Sequence, residues 1–221
     1  MIKILEKIIN LIYPQVCSIC GKMNSKPLCN KCRYKLKEEL CIGYNNYLAD
    51  TDKNFIEHYY FFKYKNIIRE QILDLKFHEK PYIIQSIAYF LKNIQKSFEN
   101  LKKYDIIIIV PISTTRQKER GYNQSELIAK QISMMINIPI ENKILYKTKN
   151  NVQQSTLSKE NRIKNVEGVY TIKNYHRIQN KKILLIDDIY TTGSTVNECS
   201  KILVTNGVSR EHIGVLTLAK D

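Results

Sequence analysis

KKILLIDDIYTTGSTVNE, Lys181 to Glu198, is the stretch that decides how this chain folds. Ile183 to Ile186 and then Ile189 bracket an adjacent carboxylate pair, Asp187 and Asp188. An uninterrupted apolar run of this kind suits a strand buried on both faces of a parallel sheet. Thr191, Thr192, Gly193, Ser194 and Thr195 follow as a turn of small hydroxyl residues, and a helical run then extends to Val204. Thr and Ser suit the cap of that helix. A helix N-terminus carries unpaired N–H groups and partial positive charge, so the turn is suited to a phosphate. The acid pair, at the carboxyl end of the strand, would lie beside it and could hold sugar hydroxyls or a divalent metal. Together these parts describe a site for a phosphorylated sugar. The plainer reading is a buried strand, a chance acid pair and a capped helix. A Walker-type loop is excluded, because no G-x-x-x-x-G-K-[ST] string occurs.

Outward from this stretch, Ile106 to Val110 reads as a second buried strand that ends at Pro111. A polar loop follows, and then a helix from about Asn123 to Asn137. A basic loop directly after a central strand is where a doubly wound sheet places ligands. Arg116, Lys118 and Arg120 could neutralise an anion there, and Ser113, Thr114 and Thr115 add hydroxyls and backbone N–H groups. A solvated basic loop is the alternative. Further strands are expected at 59–64, 143–147, 168–172 and 212–218, with amphipathic helices over Asn66 to Phe77 and Pro81 to Phe98. Gly43 to Asn54 reads as a polar connection, and Thr148 to Ser158 as a mobile loop. The fold class expected is α/β: a doubly wound, mainly parallel sheet with strands near 59, 106, 143, 183 and 213.

Residues 1 to 14, MIKILEKIINLIYP, pattern as an amphipathic helix stopped before Pro14. Packing against its own domain and lying on a membrane surface or a partner both suit it. Glu6 and Lys7 interrupt its apolar side, unlike a secretory signal. Next, Cys17, Cys20, Cys29 and Cys32 form two C-x₂-C knuckles eight residues apart. Two such turns can complete a tetrahedral zinc shell, which would supply most of the folding free energy of so short a loop. Disulfides or a redox C-x-x-C compete with that reading. Cys41 and Cys199 stand outside the pattern and read as packing residues, and the four scattered His, His58, His78, His176 and His212, read as structural or exposed.

With 221 residues, 43% of them hydrophobic, the chain can hold one ordinary domain and a small appendage. We place the boundary between residues 1–45 and 46–221. The net charge of +14, from 35 basic and 21 acidic residues, favours polyanionic partners. No window of about 18 apolar residues suggests a transmembrane helix. The absence of a signal peptide, with cysteines in metal-binding spacing, points to a cytoplasmic setting.

The sequence ILLIDDIYTTGST, residues 183 to 195, resembles the 13-residue phosphoribosyl pyrophosphate (PRPP) signature of type I phosphoribosyltransferases. RGYNQSELIAK (Arg120 to Lys130) resembles the R-G-[FY]-N-Q segment of ComF-type competence proteins. ENRIKNVEGVY (Glu160 to Tyr170) is similar to their R-x-x-N-V-x-G-x-[FY] segment. In that family a phosphoribosyltransferase domain follows a four-Cys zinc element, and the order of motifs here agrees from residue 17 almost to the end.

The resemblance implies that Asp187 and Asp188 meet the ribose and that Thr191 to Thr195 wrap the 5′-phosphate. It implies that Ser113, Thr114, Thr115, Arg116 and Arg120 take pyrophosphate bridged by Mg²⁺. Gln124 belongs to the matched segment, and Gln153, Gln154 and Arg162 flank the loop that would close over the sugar. The setting implied is DNA uptake in natural transformation, with single-stranded DNA and other uptake proteins at the inner face of the membrane as partners. Fifteen Tyr among many basic residues would suit single-stranded DNA. Two other readings stay open: an active phosphoribosyltransferase of nucleotide metabolism with an unidentified acceptor, and a zinc-stabilised adaptor without chemistry.

Overall fold

A computed structural model describes residues 16–148 and 168–221. The helix expected over 1–14, and the loop positions Gln153, Gln154 and Arg162, lie outside the described residues. In chain order the strands are β1 (Leu40–Asn46), β2 (Glu57–Lys63), β3 (Ile106–Ile109), β4 (Ile140–Glu141), β5 (Leu145–Lys147), β6 (Tyr170–Ile172), β7 (Ile183–Tyr190) and β8 (Ile213–Lys220). The helices are α1 (Asn30–Glu39), α2 (Asn66–Phe77), α3 (Ile83–Lys92), α4 (Thr114–Arg120), α5 (Gln124–Ile136) and α6 (Ser194–Thr205).

Six strands form one sheet in the order β1-β2-β8-β7-β3-β4. Only the β1–β2 pair is antiparallel, and the other four pairings are parallel. The fold is therefore α/β with a largely parallel sheet. The apolar run that opens β7 explains its place beside both β3 and β8. Alternate side chains of a strand point to opposite faces, and Ile183 to Ile186 are all fully buried. Ile183 and Leu185 join Ile108 and Val215 in a core closed by Val196, Cys199 and Leu203 of α6. Leu184 and Ile186 join Ile107 and Leu216 in the opposite core, closed by residues of α2, α3 and α5 such as Ile72, Phe90 and Ile132.

Four expectations need correction. The strand read at 143–147 is not part of the main sheet: β5 pairs antiparallel with β6 in a separate two-stranded sheet. The short β4, just after Pro139, takes the edge position beside β3 instead. The polar connection begins only after Asn46, because Leu40–Asn46 is an edge strand whose alternating exposure hides its pattern. The helix expected to reach Phe98 ends at Lys92, and a 3₁₀ helix, Gln95–Lys103, continues the run. Finally, the polar loop after β3 contains α4, which has no buried residue and so no apolar periodicity.

The connection after β1 is pinned from two sides. Arg210 donates to the carbonyls of Tyr47, Asp50 and Lys53 at 2.6, 2.6 and 2.7 Å, and Asn197 of α6 accepts from the Asn54 N–H at 2.7 Å. In β8, Gly214 lies directly beneath the Tyr104 ring, whose hydroxyl donates to Glu57 at 2.6 Å. A methyl group on Gly214 would displace that ring, and Gly214→Ala should cost about 1–3 kcal/mol as overpacking. Urea unfolding, read by circular dichroism, checks this.

Candidate functional site

Burial of β7 carries the acid pair to the mouth of a cavity of about 320 Å³. Asp187 accepts a hydrogen bond from Ser125 Oγ, in the first turn of α5, at 2.9 Å, and from the Asp188 N–H at 2.9 Å. Asp188 is buried and is gripped by Lys76, from the last turn of α2, at 3.0 Å to Oδ1 and 2.8 Å to Oδ2. Burial, with the negative charge of Asp188 beside it, pushes the Asp187 carboxyl up to about 7. Lys76 and the two hydrogen bonds only partly offset this rise. Two carboxylates held close in a cavity bind a polyhydroxyl edge or a cation when both are ionised.

The turn after β7 leads into α6 through Gly193, at φ 76°. That left-handed conformation favours glycine, and a side chain there would also meet the Tyr190 ring packed beneath the turn. Thr192 Oγ1 lies 2.8 Å from Ser194 Oγ and accepts from the Ser194 N–H at 3.3 Å. Thr191, Gly193, Ser194 and Thr195 line the cavity, placing the first turn of α6 toward it.

On the side of β3, Ser113 caps α4 by accepting from the Arg116 N–H at 3.4 Å, and Gly121, at φ 73°, ends the helix. This short helix sends Arg116 and Arg120 to the cavity. Arg120 stacks over the Phe77 ring at 5.4 Å, a cation–π contact that holds the guanidinium in place. The rest of the RGYNQ string fastens the site. Tyr122 and Gln124 donate to the Leu75 carbonyl at 2.7 and 3.3 Å. Asn123 donates to the Val110 carbonyl at 3.0 Å while capping α5.

Of the residues singled out in the sequence, Asp187, Asp188, Thr191, Gly193, Ser194, Thr195, Arg116, Arg120 and Gln124 converge on this cavity. Ser113, Thr114, Thr115 and Thr192 are not among its lining residues. Sequence reasoning missed Lys76, Ser125, Lys147 and Tyr170, which line it too. Lys76 and Ser125 meet the acid pair across 112 and 62 residues of chain, so no local spacing could have revealed them.

The four cysteines form a second centre. Their sulfur atoms all lie within 4.8 Å of one another, and Cys20 and Cys29 are 3.7 Å apart. That separation is far beyond a disulfide bond of about 2.05 Å. It agrees with thiolates at about 2.3 Å around one tetrahedral zinc ion, whose edges would be roughly 3.8 Å. Gly21, at φ 71°, makes the first knuckle turn, and its N–H donates to the Cys17 carbonyl at 2.8 Å. Burial opposes ionisation of Cys17, but N–H groups of Cys29, Cys20 and Ile19 outweigh it and bring the thiol down to about 7. Burial and the neighbouring thiols push Cys32 up. Zinc would be held by all four sulfurs. Cys17 and Cys32 also join Leu28 and Leu36 in the core beneath α2 and α3, so the knuckles are seated on the main domain.

Among the described residues, no helix is long and apolar enough to cross a membrane. No family model matches the chain. It is similar to competence protein F of Haemophilus influenzae, with 32% identity over 212 residues, 93% of this chain and 90% of that protein. It is also similar to competence protein ComFC of Bacillus subtilis, 25% identical over 89% of this chain and 74% of the relative. DNA utilization protein YhgH of Escherichia coli O157:H7 shares 30% identity over 112 residues, 51% of this chain and 48% of its own length. Identity at this level, sustained over almost the whole of both chains, places this chain in the competence protein F family.

Proposed function

We propose that this protein binds PRPP with Mg²⁺ in the cavity at the end of β7, on a type I phosphoribosyltransferase fold, and works in DNA uptake. The observation that carries the reading is the convergence of three unlike surfaces on one cavity: an acid pair, the hydroxyl-rich start of α6, and two arginines on α4. PRPP needs each of them. The backbone N–H groups and hydroxyls of Thr191 to Thr195 hold its 5′-phosphate. Asp187 and Asp188 hold its ribose hydroxyls and stabilise positive charge that develops on the ring. Arg116 and Arg120 neutralise its diphosphate, with Ser113, Thr114 and Thr115 holding the loop in shape. Mg²⁺, when bound, shields the diphosphate oxygens and makes them a better leaving group. Ser125 holds α5 against Asp187, and Gln124 ties the start of α5 to the Leu75 carbonyl at the end of α2.

The role in DNA uptake rests on the names of the relatives, competence protein F and DNA utilization protein, and on the +14 charge, which suits single-stranded DNA. Chemistry on the sugar requires Lys76 to yield part of its hold on Asp188, since both carboxylate oxygens face it now.

Thermal unfolding with Mg²⁺ and PRPP tests the reading. Ligand at a hundredfold excess over its Kd adds about 2.7 kcal/mol, or roughly 5–10 °C for a chain of this size. Asp188→Ala should remove the shift. A wild-type protein whose midpoint does not move at millimolar PRPP refutes the proposal. Release of pyrophosphate reports turnover, and salt-sensitive fluorescence anisotropy of a labelled oligonucleotide reports the DNA arm.

A further inference from the structure

Lys147 is a cation that none of the roles above accounts for. It ends β5, in the small sheet outside the main one, and lines the same cavity as the acid pair. That small sheet is tied to the start of α6 twice. The Gly168 N–H donates to Glu198 at 3.0 Å, and the Tyr170 hydroxyl is hydrogen-bonded to Thr195. Pairing of Lys147 with Tyr170 across the two strands then fixes where the lysine stands.

The Lys147 Nζ lies over the Tyr170 ring, 5.4 Å from its centre. Arg116 from α4, Asp187 from β7 and Cys199 from α6 are the charged and titratable groups that face it, along with Tyr170 itself. No described carboxylate lies within ion-pair distance of this ammonium, whereas Lys76, the other lysine of the cavity, is spent on Asp188. A half-buried cation held by an aromatic face and turned toward an arginine, with no described carboxylate beside it, is suited to an anion that enters the cavity. Burial and the like charge of Arg116 bring the ammonium down to about 8. An anion between the two cations would reverse that effect.

We propose that Lys147 and Arg116 close on one anionic group from β5 and α4, and that this group is the diphosphate of PRPP. The assignment rests on the PRPP reading above and adds to it a binding residue supplied from outside the main sheet. It also gives the small sheet a purpose, because its ties to α6 set the distance between the phosphate turn and the diphosphate clamp.

The test is isothermal titration of the full chain with inorganic pyrophosphate and, separately, ribose 5-phosphate, both with Mg²⁺ at pH 7. Lys147→Met keeps the length of the side chain and removes the charge. It should weaken pyrophosphate roughly tenfold or more, as expected for one charge-assisted contact, and change ribose 5-phosphate by no more than about twofold. Lys147→Arg should restore pyrophosphate binding. Between pH 7 and 9 the wild type should lose pyrophosphate affinity relative to Lys147→Arg, which stays charged throughout. Thermal unfolding of each variant reports whether it is folded. Unchanged pyrophosphate affinity in Lys147→Met overturns the inference, as does an equal loss of both ligands or a loss confined to ribose 5-phosphate. If the wild type binds neither ligand, the PRPP reading itself falls.

Discussion

Cys32→Ser should bring the zinc content of the purified protein from one ion per chain to nearly none and lower its midpoint of thermal unfolding by about 10 °C or more. A structural zinc ion contributes apparent binding free energy on the order of 10 kcal/mol, but little of that is visible where the segment would stay folded without it. Here the knuckles have few other supports. The backbone contacts that close them are Cys17 N–H to Lys22, Gly21 N–H to Cys17, Ser18 N–H to Pro27, Arg33 N–H to Cys29 and a bridge between Val16 and Met23. The buried side chains that anchor them are Cys17, Leu28, Cys32 and Leu36. Loss of one ligand leaves three thiols crowded together, with Cys17 buried among them. A loss of about 3–5 kcal/mol corresponds to roughly 10 °C in a chain of this length. Because Cys32 lies in the first turn of α1, which runs directly into β1, the damage should spread to the edge of the main sheet. Atomic absorption and calorimetry give the two readouts. A Cys32→Ser protein that keeps a full ion, or melts with the wild type, shows that the cluster holds no structural metal.

The parts of the fold that could be read from sequence are those in which one strand or helix buries enough to leave a pattern. β7 is legible because four consecutive residues are buried between two parallel neighbours. α2 is legible because Ile68, Ile72 and Leu75 recur on one face, and its bounds match the expected Asn66 to Phe77. α4 escaped because a seven-residue helix with nothing buried has no period to detect, although Ser113 and Gly121 are its cap and stop. β1 escaped because Ile42 and Tyr44 face solvent at the rim of the sheet, where the sequence looks like a loop. The same limit applies to the site. Asp187, Asp188 and the hydroxyl turn sit in one contiguous string, so their proximity is written locally. Lys76 reaches the cavity only through packing of α2, far from any string that points to it, while Ser125 and Lys147 sit beside such strings and are placed at the cavity by α5 and by the small sheet.

Asp187→Asn should make the protein more stable at alkaline pH and at the same time destroy its ligand site. The wild-type carboxyl is raised from 3.8 to about 7, chiefly by burial and then by Asp188. A carboxyl raised in the folded state favours the protonated protein. Its contribution to stability is therefore complete below about pH 4 and is lost as pH rises through 7. Across that interval the loss is on the order of 4 kcal/mol, at 1.36 kcal/mol per pKa unit. Asparagine has no charge to bury and can still accept from Ser125, so its stability should not fall between pH 5.5 and 8.5. At pH 8.5 the variant should melt several degrees above the wild type, the gap should narrow as pH falls below 7, and near pH 4 the two should almost coincide. The same substitution removes a negative charge from the edge that would receive the ribose, and PRPP affinity should drop roughly 30-fold or more. Asp188→Asn is the control with the opposite sign. It breaks the Lys76 ion pair and leaves a lysine without its partner, so it should destabilise the protein at every pH. Calorimetry across the pH range separates the outcomes. A less stable Asp187→Asn at pH 8.5 would mean that the buried charge is fully compensated within the protein, and that the cavity is not poised for a ligand that would compensate it.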